Sequence, residues 1–178
     1  GAIIPWNFPI WTSFNGLICT FAAGNRSMVK MSENSRHITA LLMEKIPEYF
    51  PRDKLAFFDE TGGVGVEFSQ LKFDHLIFTG STRVGRLVAE AAGRNLTPVT
   101  LELGGKSPAI VDASADLDVA AQRIAYGKLL NAGQTCIAPD YALVPERAVT
   151  DFAERLLRHM QRMFGTDPDN ADYTSIVS

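Results

Sequence analysis

Cysteine is scarce: Cys19 and Cys136 are the two examples in 178 residues. They stand far apart, with no partner thiol two to four residues away, which excludes a disulfide scaffold and a cysteine-rich zinc site. Two isolated thiols fit a reducing, cytoplasmic compartment. Long apolar runs are missing too. The longest near the start, residues 17–23, stops at Gly24-Asn25-Arg26 and is too short to cross a bilayer, so neither a membrane anchor nor a secretory leader is read. Charge of one sign is also lacking, since 17 Lys and Arg face 20 Asp and Glu for a net charge of −3. No whole-chain field therefore draws this protein to nucleic acid or to an anionic membrane. With 46% hydrophobic and 21% charged residues, and no repeat or low-complexity tract, disorder is excluded as well. The length suits one domain, or one domain plus part of another. Gly1 runs straight into the strand-like Ala2-Ile3-Ile4 without an initiator methionine, so the chain reads as a segment of something longer.

What is present is an alternation of short apolar runs with segments of helical period, the pattern of an α/β architecture with a largely parallel sheet. Strands are expected at residues 3–4, 28–31, 55–58, 76–79, 99–103 and 109–111. Helices are expected at 14–23, 35–49 with a bend at Pro47, 83–92 capped by Gly93, 116–130 with Asp116 and Asp118 near its positive end, and 148–164 stopped by Gly165. Gly104-Gly105 is the best pivot for a domain change. The stretch from Thr166 onward reads as loop.

Several residues carry potential chemistry. Cys136 follows a helix in Asn131-Ala132-Gly133-Gln134-Thr135, where a thiol could project into a cleft as a nucleophile; spacing alone favours a small buried hydrophobe. Cys19, in an apolar helix, is read as buried. Glu102 interrupts the apolar strand 99–103, so a partly desolvated carboxylate with a raised pKa, suited to activating water, is expected there. A Glu paired with Arg or with backbone amides is an equal alternative. Gly80-Ser81-Thr82-Arg83-Val84-Gly85 follows a strand and opens a helix, a setting that can hold a phosphate, although a plain turn explains it equally well and it is not G-x-G-x-x-G. Gly62-Gly63-Val64-Gly65 is a weaker candidate of the same kind.

Lys30 and Glu33 could fork around ribose hydroxyls, with solvated surface charge as the alternative. Gly105-Lys106-Ser107 resembles a P-loop ending, but Thr100 stands where the earlier glycine belongs and Pro108 follows at once, so a triphosphatase is rejected. His37, His75 and His159 lack metal-ligand spacing. Asp112, Asp116 and Asp118 lack the glycine and terminal glutamate of a calcium loop and are better explained by helix capping.

Taken in order, six motifs resemble the aldehyde dehydrogenase superfamily. They are Pro5-Trp6-Asn7-Phe8-Pro9, Ala23-Gly24-Asn25, Lys30-Met31-Ser32-Glu33, Phe78-Thr79-Gly80-Ser81-Thr82, Leu101-Glu102-Leu103-Gly104-Gly105-Lys106-Ser107-Pro108 and Gly133-Gln134-Thr135-Cys136. The spacing from Glu102 to Cys136 is similar as well. Residues 71–75, 96–100 and 136–141 look more like the class 3 branch, and Gly24-Asn25-Arg26 with Lys30-Met31-Ser32-Glu33 like its coniferyl aldehyde members. Met31 and Gly16 stand where many members carry Pro and Lys.

The resemblance implies a Rossmann-like parallel sheet, with residues 1–103 as most of an NAD(P)-binding domain and 104–178 as the start of a catalytic α/β domain. It implies oxidation of an aldehyde, coniferaldehyde or another aryl or long-chain aldehyde, to the acid with NAD or NADP, without a metal. Cys136 would be the nucleophile, Asn7 an oxyanion donor and Glu102 the base that activates water. Pro5, Trp6, Lys30, Ser32, Glu33, Gly80, Ser81, Leu103 and Gly104 would line the cofactor. It also implies a homodimer in a full-length protein whose further strands and second cofactor clamp this segment lacks. The alternatives are an acylating dehydrogenase and a non-catalytic nucleotide-binding fragment.

Overall fold

A buried parallel strand needs a crossover on its way to the next strand, and here each crossover is helical, which lays the strands side by side in one direction. The computed structural model describes residues 1–62, 65–167 and 169–177. The chain divides into two compact units, Gly1–Leu103 and Gly104–Ser178.

In the first unit β1 (Ala2–Ile3), β2 (Ser27–Lys30), β3 (Leu55–Phe58), β4 (Leu76–Gly80) and β5 (Val99–Leu103) form a five-stranded sheet in the order β3-β2-β1-β4-β5. Every pairing is parallel. The central β1 sets Ile3 against Lys30 on one side and Phe78 on the other. Its period-two alternation divides the core between the faces. Ala2 and Ile4 join Leu17 of α1 (Pro9–Ala22) and Leu42 of α2 (Arg36–Lys45), while Ile3 joins Phe68 of α3 (Gly65–Ser69) and Val88 and Ala92 of α4 (Thr82–Arg94). Helices thus cover both faces, as a doubly wound α/β sheet requires.

The second unit pairs β6 (Ser107–Ile110) with β7 (Pro139–Leu143) in parallel, with a register shift between Ser107 and Pro108. Val111, Ala121 of α5 (Leu117–Leu129) and Phe152 of α6 (Val149–Phe164) form its core. Asp116 caps α5, its carboxylate accepting the Asp118 amide at 2.9 Å and the Val119 amide at 3.1 Å. Buried His159 holds Asp118 across the α5–α6 contact at 3.1 Å, and Arg155 approaches the same carboxylate at 3.5 Å. Asp112 accepts the amide and hydroxyl of Ser114 in a local turn.

Several boundaries differ from those read in the sequence. α1 starts at Pro9 rather than Phe14, because proline suits the first helical turn. The expected helix 35–49 is α2 followed by a turn of 3-10 helix at Ile46–Glu48 that accommodates Pro47. Gly93 does not end α4: the helix runs on to Arg94, and the left-handed residue is Leu96, at φ 54°. The short α3 and strand β7 were not anticipated. A leading proline, followed by aspartate, resembles a turn, yet proline is tolerated as the first residue of a strand. The candidate turn at 62–65 includes Gly63 and Val64, which lie outside the described residues. Among the described residues no helix is long and apolar enough to cross a membrane.

Removing the α5 cap should cost about 1 kcal/mol. Urea unfolding of Asp116→Ala should show that loss, with unchanged dependence on denaturant. A second expectation follows from Asp118. The hydrogen bond from His159 first, then the charges of His159 and Arg155, holds its carboxyl below the usual carboxylate range. A depressed folded-state pKa stabilises above the unfolded value of about 3.9, and that contribution is lost as pH falls through the folded value. Melting temperatures below about pH 4 should therefore drop less steeply in Asp118→Asn than in the parent chain.

Candidate active site

The residues singled out in the first unit come from loops separated in sequence, and the sheet gathers them at one edge. Pro5, Trp6 and Asn7 follow β1, Lys30 closes β2 with Ser32 and Glu33 behind it, Gly80 closes β4 with Ser81 next, and Glu102 and Leu103 end β5. All of them stand at the carboxyl ends of their strands. The chain leaves β1 towards β2 on one side and returns at β4 on the other, so the strand order reverses between β1 and β4. Open α/β sheets bind ligands in the crevice at such a switch point.

Local structure suits an anionic group there. Ser81 caps α4, accepting the Val84 amide at 3.3 Å. The first amides of a helix have no acceptor within it, and they point towards this crevice with the positive end of the helix dipole. A Cβ would be crowded at two positions beside this turn. A Cβ on Gly80 would lie 2.6 Å from the Phe78 ring, and one on Gly85 would lie 2.8 Å from Leu103. Lys30 is 4% exposed, and its ammonium donates to the Met31 carbonyl at 2.8 Å. Glu33 is exposed and opens a 3-10 turn capped by Ser32, whose hydroxyl accepts the Asn34 amide.

Cavities sort the two ends of the sheet. One of about 750 Å³ lies at the amino ends, against Gly1, Ser27, Met28 and Ile77, and holds none of the proposed site residues. A smaller one of about 170 Å³ lies at the carboxyl ends, between Lys30, Phe58, Asp59, Glu67, Phe68 and Leu71. Asp59 and Glu60, just beyond β3, were missed in the sequence. Their signal was there to read: two acidic residues directly after an apolar run, level with Lys30.

In the second unit Cys136 sits at the second position of a turn closed by the Ala138 amide on the Thr135 carbonyl at 3.1 Å. The loop before it is strained. Asn131, Ala132 and Gly133 have φ of 52°, 55° and 76°, a left-handed run that costs side-chain-bearing residues about 1–2 kcal/mol each. Hydrogen bonds hold that run in place. The Gln134 amide nitrogen donates to the Asn131 carbonyl at 3.0 Å and to the Ser175 carbonyl at 3.2 Å, while its oxygen accepts the Val177 amide at 2.9 Å. Gly105 passes close to the Cys136 carbonyl, where an added Cβ would lie 3.7 Å away. Lys106 pairs with Asp140 at 3.0 Å and ties β6 to β7 below the loop.

Two expectations need correction. Cys19 is exposed, as is Cys136. Helix α1 turns Leu17 inward and leaves Cys19 on its other side. Glu102 is exposed rather than desolvated. β5 is an edge strand whose Val99, Leu101 and Leu103 pack inward, and alternation sends Thr100 and Glu102 to the opposite face.

Comparison with known proteins gives the lineage. The family model described as aldehyde dehydrogenase family matches residues 1–178. The chain is 52% identical over 178 residues to a probable coniferyl aldehyde dehydrogenase of Pseudomonas aeruginosa, covering 100% of this chain and 37% of that protein. It is 44% identical over 176 residues to the dimeric, NADP-preferring aldehyde dehydrogenase of Mus musculus, covering 97% of this chain and 38% of the relative. Among solved structures it superposes on substrate-bound AldH of Staphylococcus aureus with a TM-score of 0.90, at 39% identity, over 99% of this chain and 39% of that one. The chain thus spans well under half the length of these relatives.

Exposure of both thiols has a direct consequence. Iodoacetamide should alkylate Cys19 and Cys136 in the folded chain without denaturant, read as modification of both peptides by mass spectrometry. A folded chain modified only after unfolding would contradict this geometry.

Proposed function

This chain belongs to the aldehyde dehydrogenase family, and from that premise we propose that it supplies the nucleophile, the water-activating base and much of the cofactor-binding surface of an enzyme that oxidises an aldehyde to its carboxylic acid. The observation that carries the reading is the gathering of Pro5, Trp6, Asn7, Lys30, Ser32, Glu33, Gly80 and Ser81 at one sheet edge, beside a switch point. Residues 1–103 are read as most of the cofactor domain and 104–178 as the beginning of the catalytic domain.

The group proposed for the crevice is NAD or NADP. The fit rests on the α4 amides and Ser81 for the pyrophosphate, and on Lys30 and Glu33 for the adenosine ribose. Pro5, Trp6, Leu103 and Gly104 are assigned to its remaining wall. When bound, the nicotinamide accepts hydride; the other chemistry is assigned to this chain. The Cys136 thiolate attacks the aldehyde carbon to give a thiohemiacetal. The Asn7 side-chain amide and the Cys136 backbone N–H donate to its oxyanion, where fixed dipoles favour developing charge. Loss of hydride leaves a thioester on Cys136. Glu102 takes a proton from water, which adds to the thioester carbon, and the acid departs as the thiol is restored.

Coniferaldehyde is the substrate favoured by the likeness to the Pseudomonas aeruginosa relative, with other aryl and long-chain aldehydes next. A homodimer of the complete enzyme is proposed from the likeness to the Mus musculus protein, and a cytoplasmic setting from the two unpaired thiols.

The test uses the complete enzyme that contains this chain. Reduced nicotinamide formed from coniferaldehyde, benzaldehyde and hexanal should be abolished by Cys136→Ala. Glu102→Gln should lower steady turnover by roughly 10²–10⁴-fold while sparing a first burst of reduced cofactor, with the acyl group trapped on Cys136 and visible by mass. Wild-type turnover in Cys136→Ala, or a Glu102→Gln enzyme without a burst, would contradict the assigned roles.

A further inference from the structure

The carboxyl ends of β2 and β3 carry more charge than the recognition of two ribose hydroxyls requires. Lys30 stands opposite Phe58, the last residue of β3, with Asp59 and Glu60 immediately beyond. Lys30 is buried and already donates to the Met31 carbonyl. Asp59 accepts the Thr61 hydroxyl at 2.5 Å and the Thr61 amide at 3.0 Å; these bonds, with a smaller contribution from the Lys30 charge, hold its carboxyl below the usual range. Glu60 takes the Nε of Arg36 at 2.7 Å. Arg36 opens α2, one turn after Glu33.

Of the two cations at this edge, Lys30 is buried with one donor on the Met31 carbonyl and the others left for the ribose hydroxyls, and Arg36 is paired with a carboxylate. Glu33, Asp59 and Glu60 meanwhile leave a negative balance. A phosphate on the 2′-oxygen of the adenosine ribose adds about −1.5 to −2 charges. A site that accepts it normally offers a free guanidinium, whose planar fork matches phosphate oxygens. Arg36 has the right chemistry and stands beside Glu33, but the Glu60 carboxylate lies 2.7 Å from its Nε and offsets its charge.

We propose that the Arg36–Glu60 ion pair is a filter that selects the dinucleotide without a 2′-phosphate. Glu60 offsets the guanidinium charge, and the neighbouring carboxylates repel the extra phosphate charge. The inference rests on reading the crevice as the dinucleotide site. Because Arg36 is 72% exposed, the pair contributes little to stability, and substitutions in it leave the fold intact.

Titration calorimetry with 5′-AMP and adenosine 2′,5′-bisphosphate reads the filter without turnover. The chain would be compared with Glu60→Gln, Arg36→Gln and the double variant. The parent should bind 5′-AMP more tightly than the bisphosphate. In Glu60→Gln the ratio of the two dissociation constants should move about fivefold towards the bisphosphate, the scale set by one exposed ion pair. The double variant should lose that gain. An unchanged ratio in Glu60→Gln, or an equal gain in the double variant, would overturn the filter while leaving the dinucleotide site standing. Binding of neither nucleotide to the parent would overturn the site, and the filter with it.

Discussion

Strand β1 is two residues long, and the first unit is organised around it. It pairs with β2 on one side and β4 on the other, and further backbone bonds extend the ladders beyond its ends: the Ile4 amide to the Lys30 carbonyl and the Ile77 amide to the Gly1 carbonyl, each 2.9 Å. Its side chains feed both halves of the core, Ala2 to one face and Ile3 to the other. A slip of one residue would exchange these faces and carry Asn7 away from the carboxyl-edge crevice. Burial of so short a strand between two longer neighbours supplies the cooperativity that its own hydrogen bonds could not.

That arrangement explains why residues scattered between positions 5 and 103 share an edge. Parallel strands joined by helical crossovers put every strand-to-helix turn at the same end of the sheet. Such turns are free to vary while the strands hold them in place. Position then decides chemistry. Ser81 and the α4 amides stand at the carboxyl edge because β4 ends where it does, and Lys30 and Asp59 line one small cavity because β2 and β3 end level with one another.

The second unit reaches precision by another route. The Cys136 turn is not part of a strand, and the residues before it occupy a backbone region that L-amino acids avoid. It is held by the Gln134 amide group, which grips both the strained run and the segment around Ser175 and Val177, and by the β6–β7 ladder below. An exposed thiol on an over-determined turn is constrained in direction without being buried.

The sequence alone carries the class of the fold, the parallel arrangement and the positions of most strands. These follow from local pattern: apolar runs of strand length, helical periodicity between them, and glycine or capping residues at the joins, as at Gly24, Ser81, Asp116 and Gly165. It also determined the family, through ordered motifs that are local strings. Tertiary structure alone decided what depends on neighbours distant in the chain. β7 exists because β6 offers it a ladder, despite its leading proline. Glu102 faces outward because β5 lies at the edge of the sheet, a fact no five-residue window contains. Cys19 is exposed because α1 presents its other side to the core. The Arg36–Glu60 pair joins residues on different elements, brought within bonding distance only by the register of β2 and β3. Exposure and pairing are properties of the packed sheet, and the sheet forms through contacts that sequence proximity does not record.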